Sequence, residues 1–277
     1  VVPDAKVLTH EQMLRIAREL NNSETAFMFE TDSPDYDIEV RFFTPTTEVP
    51  ICGHATIAAH YVRAKERNME GGTVVQKTKA GILPVEVVRT LSDYSITMTQ
   101  GTPAVSAPFG DTVRERIADA LGIAHEEICR EYPVAVASTG HSKVMVPLYS
   151  NELLHGLRPD LQKLTKISKQ IECNGYYVFT LNPQNKILVH GRMFAPAIGI
   201  AEDPVTGNAN GPLGAYLVHF NILQEEDAPC FDFDILQGEA IKRDGTMHVH
   251  VEKEHGAPKL VQITGNAVIA FSTEITI

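Results

Sequence analysis

The sequence predicts an α+β protein built from two related halves, and three observations carry that expectation. Helix-like and strand-like segments mix without the strict strand–helix–strand rhythm of a doubly wound parallel sheet. The chain has 277 residues, enough for about two domains. A block of sequence also recurs within the chain, as set out below.

The elements follow in order. Residues 9–20 predict a helix: Thr9 can serve as N-cap and Gln12 completes a capping box. Met13, Ile16, Ala17 and Leu20 then fall at helical spacing and face a core. Residues 24–29 and 38–43 are apolar and read as strands, and 55–67 as a second helix that begins with small apolar residues. Residues 73–88 and 94–99 read as strands separated by turn residues. Gly, Pro and Ser are dense over 100–116, which marks the crossing between halves. Helices are predicted over 112–121, 161–171 and 211–220. Strands are predicted over 134–137, 142–146, 176–181, 187–194, 231–235, 247–251 and 261–271, with clear period-2 alternation at Met247-His248-Val249-His250-Val251. The expected domains are 1–105 and 106–264, with a C-terminal strand over 265–277 as a candidate to complete the first.

The recurrence relates RFFTPTTEVPICGHATIAAHY, from Arg41, to RMFAPAIGIAEDPVTGNANGPLGAY, from Arg192. Arg-x-Phe-x-Pro repeats at an offset of 151 residues, and the helix at 16–20 matches 167–171 at the same offset. After the proline the second copy carries three extra residues, then realigns as Gly53-His54-Ala55 against Gly207-Asn208-Ala209. Such matches favour a duplicated domain. Each Gly turn precedes a helix, and a helix start offers unpaired N–H groups and partial positive charge. Two such starts facing one cleft would bind a carboxylate, with Gly53 and Gly207 admitting it close to the backbone.

Composition narrows the function classes. The net charge of −11 disfavours nucleic acid as a partner. No apolar run is long enough to span a bilayer, and no signal peptide is visible. Cys52, Cys129, Cys173 and Cys230 form no CxxC pair, which reads as reduced thiols and a cytoplasmic setting. There is no GxGxxG, P-loop or GxSxG, and His125-Glu126-Glu127-Ile128-Cys129 is not a zinc-protease motif.

Three polar clusters stand out. In Ser23-Glu24-Thr25 the carboxylate either enters a buried strand, with a raised pKa suited to acid/base work, or is a solvated loop residue. Cys52-Gly53-His54-Ala55-Thr56 is either functional or a tight turn capping a helix. Within it, Cys52 reads as a small buried residue, since residues 201–211 hold no partner cysteine for a two-thiol racemase. Glu202-Asp203-Pro204-Val205-Thr206-Gly207-Asn208 sits at the matching point of the repeat. His248 and His250 share a strand face, but no third ligand lies at a telling sequence spacing, so they read as surface residues.

On these stretches the chain resembles the phenazine-biosynthesis-like (PhzF) family, especially its bacterial YddE-type members. The matching residues are Ser23 to Phe27, Arg41 to Pro45, Pro50 to Thr56, and Gly191 to Phe194 through Glu202 to Ala209. The resemblance spans nearly the whole chain. It implies the diaminopimelate-epimerase-like fold: two similar domains, each a curved, barrel-like sheet around a central helix, with a ligand cleft between them. It further implies a homodimer, no cofactor, and a proton shift on a cyclic amino acid, trans-2,3-dihydro-3-hydroxyanthranilate; joined to the carboxylate site read above, the expected activity is a metal-free isomerase acting on a small carboxylate-bearing molecule by general acid/base catalysis. The family's catalytic carboxylate falls on Glu24, with His54 and Asp203 in support. Ser23, Gly53, Gly207 and Asn208 are the implied substrate-binding positions. Asn208 stands where the family usually has Ser; it still donates and accepts hydrogen bonds, with a different shape. Family members also carry a strand and a Gly-Asn loop before the position matching Val1. Two other readings remain open: a non-catalytic binding protein of the same fold, and an amino-acid racemase or epimerase.

Overall fold

The computed structural model describes residues 1–223 and 228–276. The chain divides into two compact units, Val1–Thr99 with Thr264–Ile277, and Gln100–Ile263.

The first unit contains α1 (His10–Leu20), β1 (Thr25–Glu30), β2 (Ile38–Phe43), β3 (Glu48–Val49), α2 (Gly53–Arg67), β4 (Gly72–Thr78), β5 (Gly81–Arg89) and β6 (Tyr94–Thr99). Thr9 and Gln12 form the expected capping box, with Gln12 N donating to Thr9 Oγ1 at 3.3 Å and Thr9 N to Gln12 Oε1 at 2.9 Å. Met13, Ile16 and Ala17 pack with Phe27 and Phe43. The sheet runs β1-β2-β4-β5-β6, with β3 paired to β2. Helix α2 lies against β1, β5 and β6 and buries Ala55, Ile57, Ala59 and Ala64. Small side chains on this helix allow it to lie close to the sheet.

The second unit contains β7 (Ala104–Val105), α3 (Asp111–Leu121), β8 (Ala135–Ser138), β9 (Lys143–Pro147), α4 (Asn151–Gly156), α5 (Leu161–Ile171), β10 (Tyr176–Leu181), β11 (Ile187–Ala195), β12 (Ile200–Asp203), α6 (Gly207–His219), β13 (Cys230–Gln237), β14 (Gly245–Glu254) and β15 (Ala257–Gly265). The sheet runs β15-β14-β13-β11-β10-β9-β8-β7, with β12 paired to β11. Helix α6 packs on β7, β8, β9, β13 and β14, and it is buried from Ala209 through Val218. A Cβ on Gly211 would stand 1.9 Å from Gln100 Oε1, so any side chain there would have to displace the Gln100 amide.

The units repeat one topology. In the first, β1 pairs with β2 in the register Thr25↔Phe43; in the second, β10 pairs with β11 as Tyr176↔Phe194, both partners displaced by 151. Strand β2 continues into a parallel pairing with β4, as β11 does with β13. The short return strands match too: Phe42↔Val49 corresponds to Met193↔Asp203, and Val49 and Asp203 differ by 154, the offset plus the three inserted residues. This is the two-domain pseudo-symmetric fold expected above.

Three expectations need correction. Helix α6 starts at Gly207, four residues before the predicted start at 211. Its Gly- and Pro-rich opening reads as a breaker, yet tertiary burial outweighs that propensity. Strand β15 covers Ala257–Gly265 rather than 261–271. The expected C-terminal strand over 265–277 does not form: 266–276 is neither helix nor strand, and Val268 and Phe271 are exposed. Alternation is a period without a partner there, and a strand needs a neighbour to take its hydrogen bonds. The short elements β3, β7, β12 and α4 were not foreseen.

Candidate active site

In the first unit, Ser23 and Glu24 lie immediately before β1, and Cys52, Gly53 and His54 form the start of α2. Helix and strand bring them together. His54 Nε2 stands 3.1 Å from Glu24 Oε2 and 3.2 Å from Ser23 Oγ. The two groups meet as an ion pair. Cys52 Sγ lies 3.6 Å from His54 Nδ1. Cys52 itself is buried, as expected, and its carbonyl accepts from Thr56 Oγ1 at 2.8 Å. The side chain of Glu24 is 16% exposed and that of His54 38%.

The electrostatics differ from the expectation for Glu24. Burial does push its carboxyl pKa up, but His54, Ser23 and Cys52 together outweigh burial, and the net shift is downward. Burial works against the charged ring of His54, while the Cys52 sulfur and the Glu24 carboxylate overcome it and raise its pKa well above the usual value. The two groups therefore hold each other charged. Glu24, Cys52 and His54 offer three donor atoms within 4.8 Å of one another, a set able to contact a metal ion.

In the second unit, Asp203 ends β12 and Gly207 and Asn208 open α6. Asp203 Oδ2 accepts from Thr206 Oγ1 at 2.5 Å. Beneath this turn lies Gln237, wholly buried at the end of β13. Its Nε2 donates to the Asp203 carbonyl at 2.7 Å and to Thr206 Oγ1 at 3.0 Å. Its Oε1 accepts from Thr206 N at 3.2 Å and from Asn210 Nδ2 at 2.9 Å. Gln100 Nε2 donates to the Gly207 carbonyl at 3.0 Å. One buried amide thus fixes both the strand end that carries Asp203 and the start of α6. Sequence reasoning missed Gln237, although a signal existed: in FDFDILQ it follows Phe233 and Ile235 on the buried period-2 face.

Lys143 was also missed. Only 8% of it is exposed, and its Nζ donates to the Ser142 carbonyl at 3.1 Å. Burial lowers its pKa, opposed by the Cys173 and Asp203 groups. The register that relates β1 to β10 puts Gly175 opposite Glu24 in the duplication. A Cβ on Gly175 would stand 2.4 Å from Lys143 Cδ, so the lysine stem fills the space where a second Glu24 would begin.

Each helix start has its own character. The N-caps are Cys52 for α2 and Thr206 for α6, and neither side chain makes a capping hydrogen bond. Among the described residues, no helix is long and apolar enough to cross a membrane.

The family model for phenazine biosynthesis-like protein, PhzC-PhzF, matches residues 1–273. An uncharacterized isomerase of Clostridium acetobutylicum is 51% identical, across 100% of this chain and 92% of that protein. The uncharacterized isomerase YddE of Escherichia coli K12 is 48% identical, across 99% and 91%. Trans-2,3-dihydro-3-hydroxyanthranilate isomerase of Pseudomonas chlororaphis is 30% identical, across 96% and 88%. Among solved structures, a Bacillus anthracis phenazine biosynthesis protein of the PhzF family superposes with a TM-score of 0.85 at 31% identity, covering 96% of this chain and 88% of that one. A hydroxyproline epimerase from Agrobacterium vitis shares the fold, with a TM-score of 0.56 at 12% identity over 88% and 71%. The chain belongs to the phenazine biosynthesis-like PhzF family and is an isomerase of that family.

Proposed function

We propose that this isomerase moves a proton on a small carboxylate-bearing molecule by general acid/base catalysis. The observation that carries the reading is the contact of Glu24 with His54 at the start of α2. A carboxylate held ionised is in the form that accepts a proton from carbon. Glu24 would take that proton and return it elsewhere on the same molecule. His54 and Asp203 would hydrogen-bond the substrate and stabilise the charge that develops. Backbone N–H groups at Gly53-His54 and Gly207-Asn208 would receive the carboxylate. Two features support that last role. Neither helix start is capped by its own N-cap side chain. A Cβ on Gly207 would meet only side-chain atoms of Gln100 and Ile263 at 3.8 Å, so packing alone does not demand glycine.

It is part of the proposal that the clusters around Glu24 and Asp203 act on one substrate, that side chains carry the chemistry, and that the protein works as a cytoplasmic homodimer. The P. chlororaphis relative suggests cyclic amino-carboxylates, including its own named substrate, as the first compounds to try. The test is incubation with such a panel in deuterated water, read by mass spectrometry. Deuterium incorporation accompanied by a double-bond shift supports the isomerase. Incorporation at an α-carbon with loss of chirality instead supports a racemase. If one substrate serves both clusters, Glu24→Gln and Asp203→Asn will be strongly non-additive in rate. A ligand that measurably binds yet shows neither deuterium incorporation nor conversion to product would favour a non-catalytic protein.

A further inference from the structure

His248 and His250 lack ligand partners at any telling distance along the sequence, but strand pairing supplies them. Strands β13 and β14 are antiparallel over eight paired positions, with Asp232 opposite His250 and Asp234 opposite His248. Cys230, Asp232 and Asp234 alternate on β13, so they share the face that carries His248 and His250. Asp232 Oδ1 stands 2.7 Å from His250 Nδ1 and 3.1 Å from His248 Nε2. Donor atoms of Cys230, Asp232 and His250 all lie within 4.8 Å of one another.

His248 adds a separate clue. Its Nδ1 is 2.8 Å from Asp234 Oδ1, while its Nε2 faces Asp232. Both ring nitrogens therefore point at carboxylate oxygens. Cys230, Asp232 and His250 bring three donor atoms within 4.8 Å of one another, and His248 Nε2 approaches the same Asp232 oxygen at 3.1 Å. On the other side, Asp234 holds His248 Nδ1, the carboxylate–histidine arrangement that orients metal-binding imidazoles.

We infer that the face of β13–β14 formed by Cys230, Asp232, His248 and His250 binds a divalent transition-metal cation of the zinc class. Mixed sulfur, nitrogen and oxygen donors in fourfold number suit zinc, whose ligand atoms sit roughly 3.3 Å apart in a tetrahedral site with bonds of about 2.0–2.3 Å. The 2.7 and 3.1 Å spacings from Asp232 to the two imidazoles fall a few tenths of an ångström short of that separation. The strands that carry the donors are paired throughout, so the site rests on a rigid support.

The test uses the full chain after dialysis against a chelator. Zn2+ is titrated by calorimetry, and Co2+ by its absorption spectrum. The expected result is one equivalent of Zn2+ and a thiolate-to-cobalt charge-transfer band. That band should vanish in Cys230→Ser. Affinity should fall at least 100-fold in His250→Ala and in Asp232→Asn. Asp234→Ala, which leaves every ligand in place, should weaken binding by about 10–100-fold. His155→Ala, which breaks a separate cluster with His190 and Glu239, should bind as wild type does. The inference is overturned by wild-type protein that binds no Zn2+. It is equally overturned by binding that survives Cys230→Ser and His250→Ala, or that is lost in His155→Ala or Cys52→Ser instead.

Discussion

Arg192 grips Glu202 through two parallel hydrogen bonds, Nε to Oε1 at 2.9 Å and Nη2 to Oε2 at 2.7 Å. The same grip recurs between Arg41 and Glu48, at 2.8 and 3.0 Å. Each guanidinium also lies over the phenyl ring two residues on, Phe194 at 5.0 Å and Phe43 at 5.3 Å. The arginines differ by 151 in number and the glutamates by 154, so the clamp closes across the segment that gained three residues. Duplication is thus preserved down to individual hydrogen bonds, and in the second unit the clamp anchors the strand that carries Asp203.

Arg192→Met should therefore be costly. The Arg192 and Glu202 side chains are only 7% and 12% exposed, and Arg192 Nη1 also donates to the Leu154 and Leu157 carbonyls. Removing one partner leaves a buried carboxylate unpaired, at a cost of about 3–5 kcal/mol. Arg41→Met should cost less, because Glu48 keeps Lys79 at 2.7 Å. Urea unfolding of both variants checks the order.

Glu48 gives the fold a specific acid sensitivity. The hydrogen bonds from Arg41, resisted by burial and reinforced by Lys79, bring its pKa down to about 2. A carboxyl depressed in the folded state contributes stability above its unfolded value of about 4.3, and that contribution fades as pH falls through the folded value. Stability should therefore decline between about pH 4.3 and 2. Glu48→Gln should flatten that part of the profile, as measured by urea unfolding at each pH.

Gln237→Leu should destabilise the second unit while keeping its hydrophobic volume. It removes the partner of Thr206 N, Asn210 Nδ2 and the Asp203 carbonyl, and each buried orphan costs about 1–3 kcal/mol. Asn210 Nδ2 keeps the Thr206 carbonyl at 3.0 Å, so the total should fall below a simple sum. Calorimetric unfolding gives the cost.

How far the sequence could be read depended on whether a signal was local. The capping box at Thr9 and the apolar runs of β2, β6, α5 and β10 are set by neighbours in the chain, and each formed where expected. The recurring Arg-x-Phe-x-Pro disclosed the two related units because both copies answer to the same packing. The early start of α6 was hidden because burial against β7, β8 and β14 overrides a run of poor helix formers. Gln237 and the carboxylates beside His248 and His250 were hidden for a related reason: their partners lie on other elements, at separations no local pattern reports. The pKa of Glu24 had the wrong sign because burial was legible and His54 as its counter-ion was not.

Gly175→Ala tests the asymmetry between the units. The new methyl would overlap the Lys143 stem, with Cδ at 2.4 Å and Cε at 2.9 Å, and would crowd Met193 Cε at 3.1 Å. Overpacking of this kind costs about 1–3 kcal/mol. Pairing it with Lys143→Ala should recover part of that loss, and a double-mutant cycle in urea measures the coupling.

Glu24→Gln bears most directly on the chemistry. Glutamine keeps the shape and the contact with His54 but cannot carry a proton. The measurement is deuterium incorporation into a turned-over carboxylate, wild type against Glu24→Gln, with binding of the same compound followed by thermal shift. If Glu24 carries the proton, incorporation falls by about 10²–10⁴-fold while the ligand-induced shift in Tm persists. Incorporation at the wild-type rate in Glu24→Gln would contradict it and remove Glu24 from the reaction.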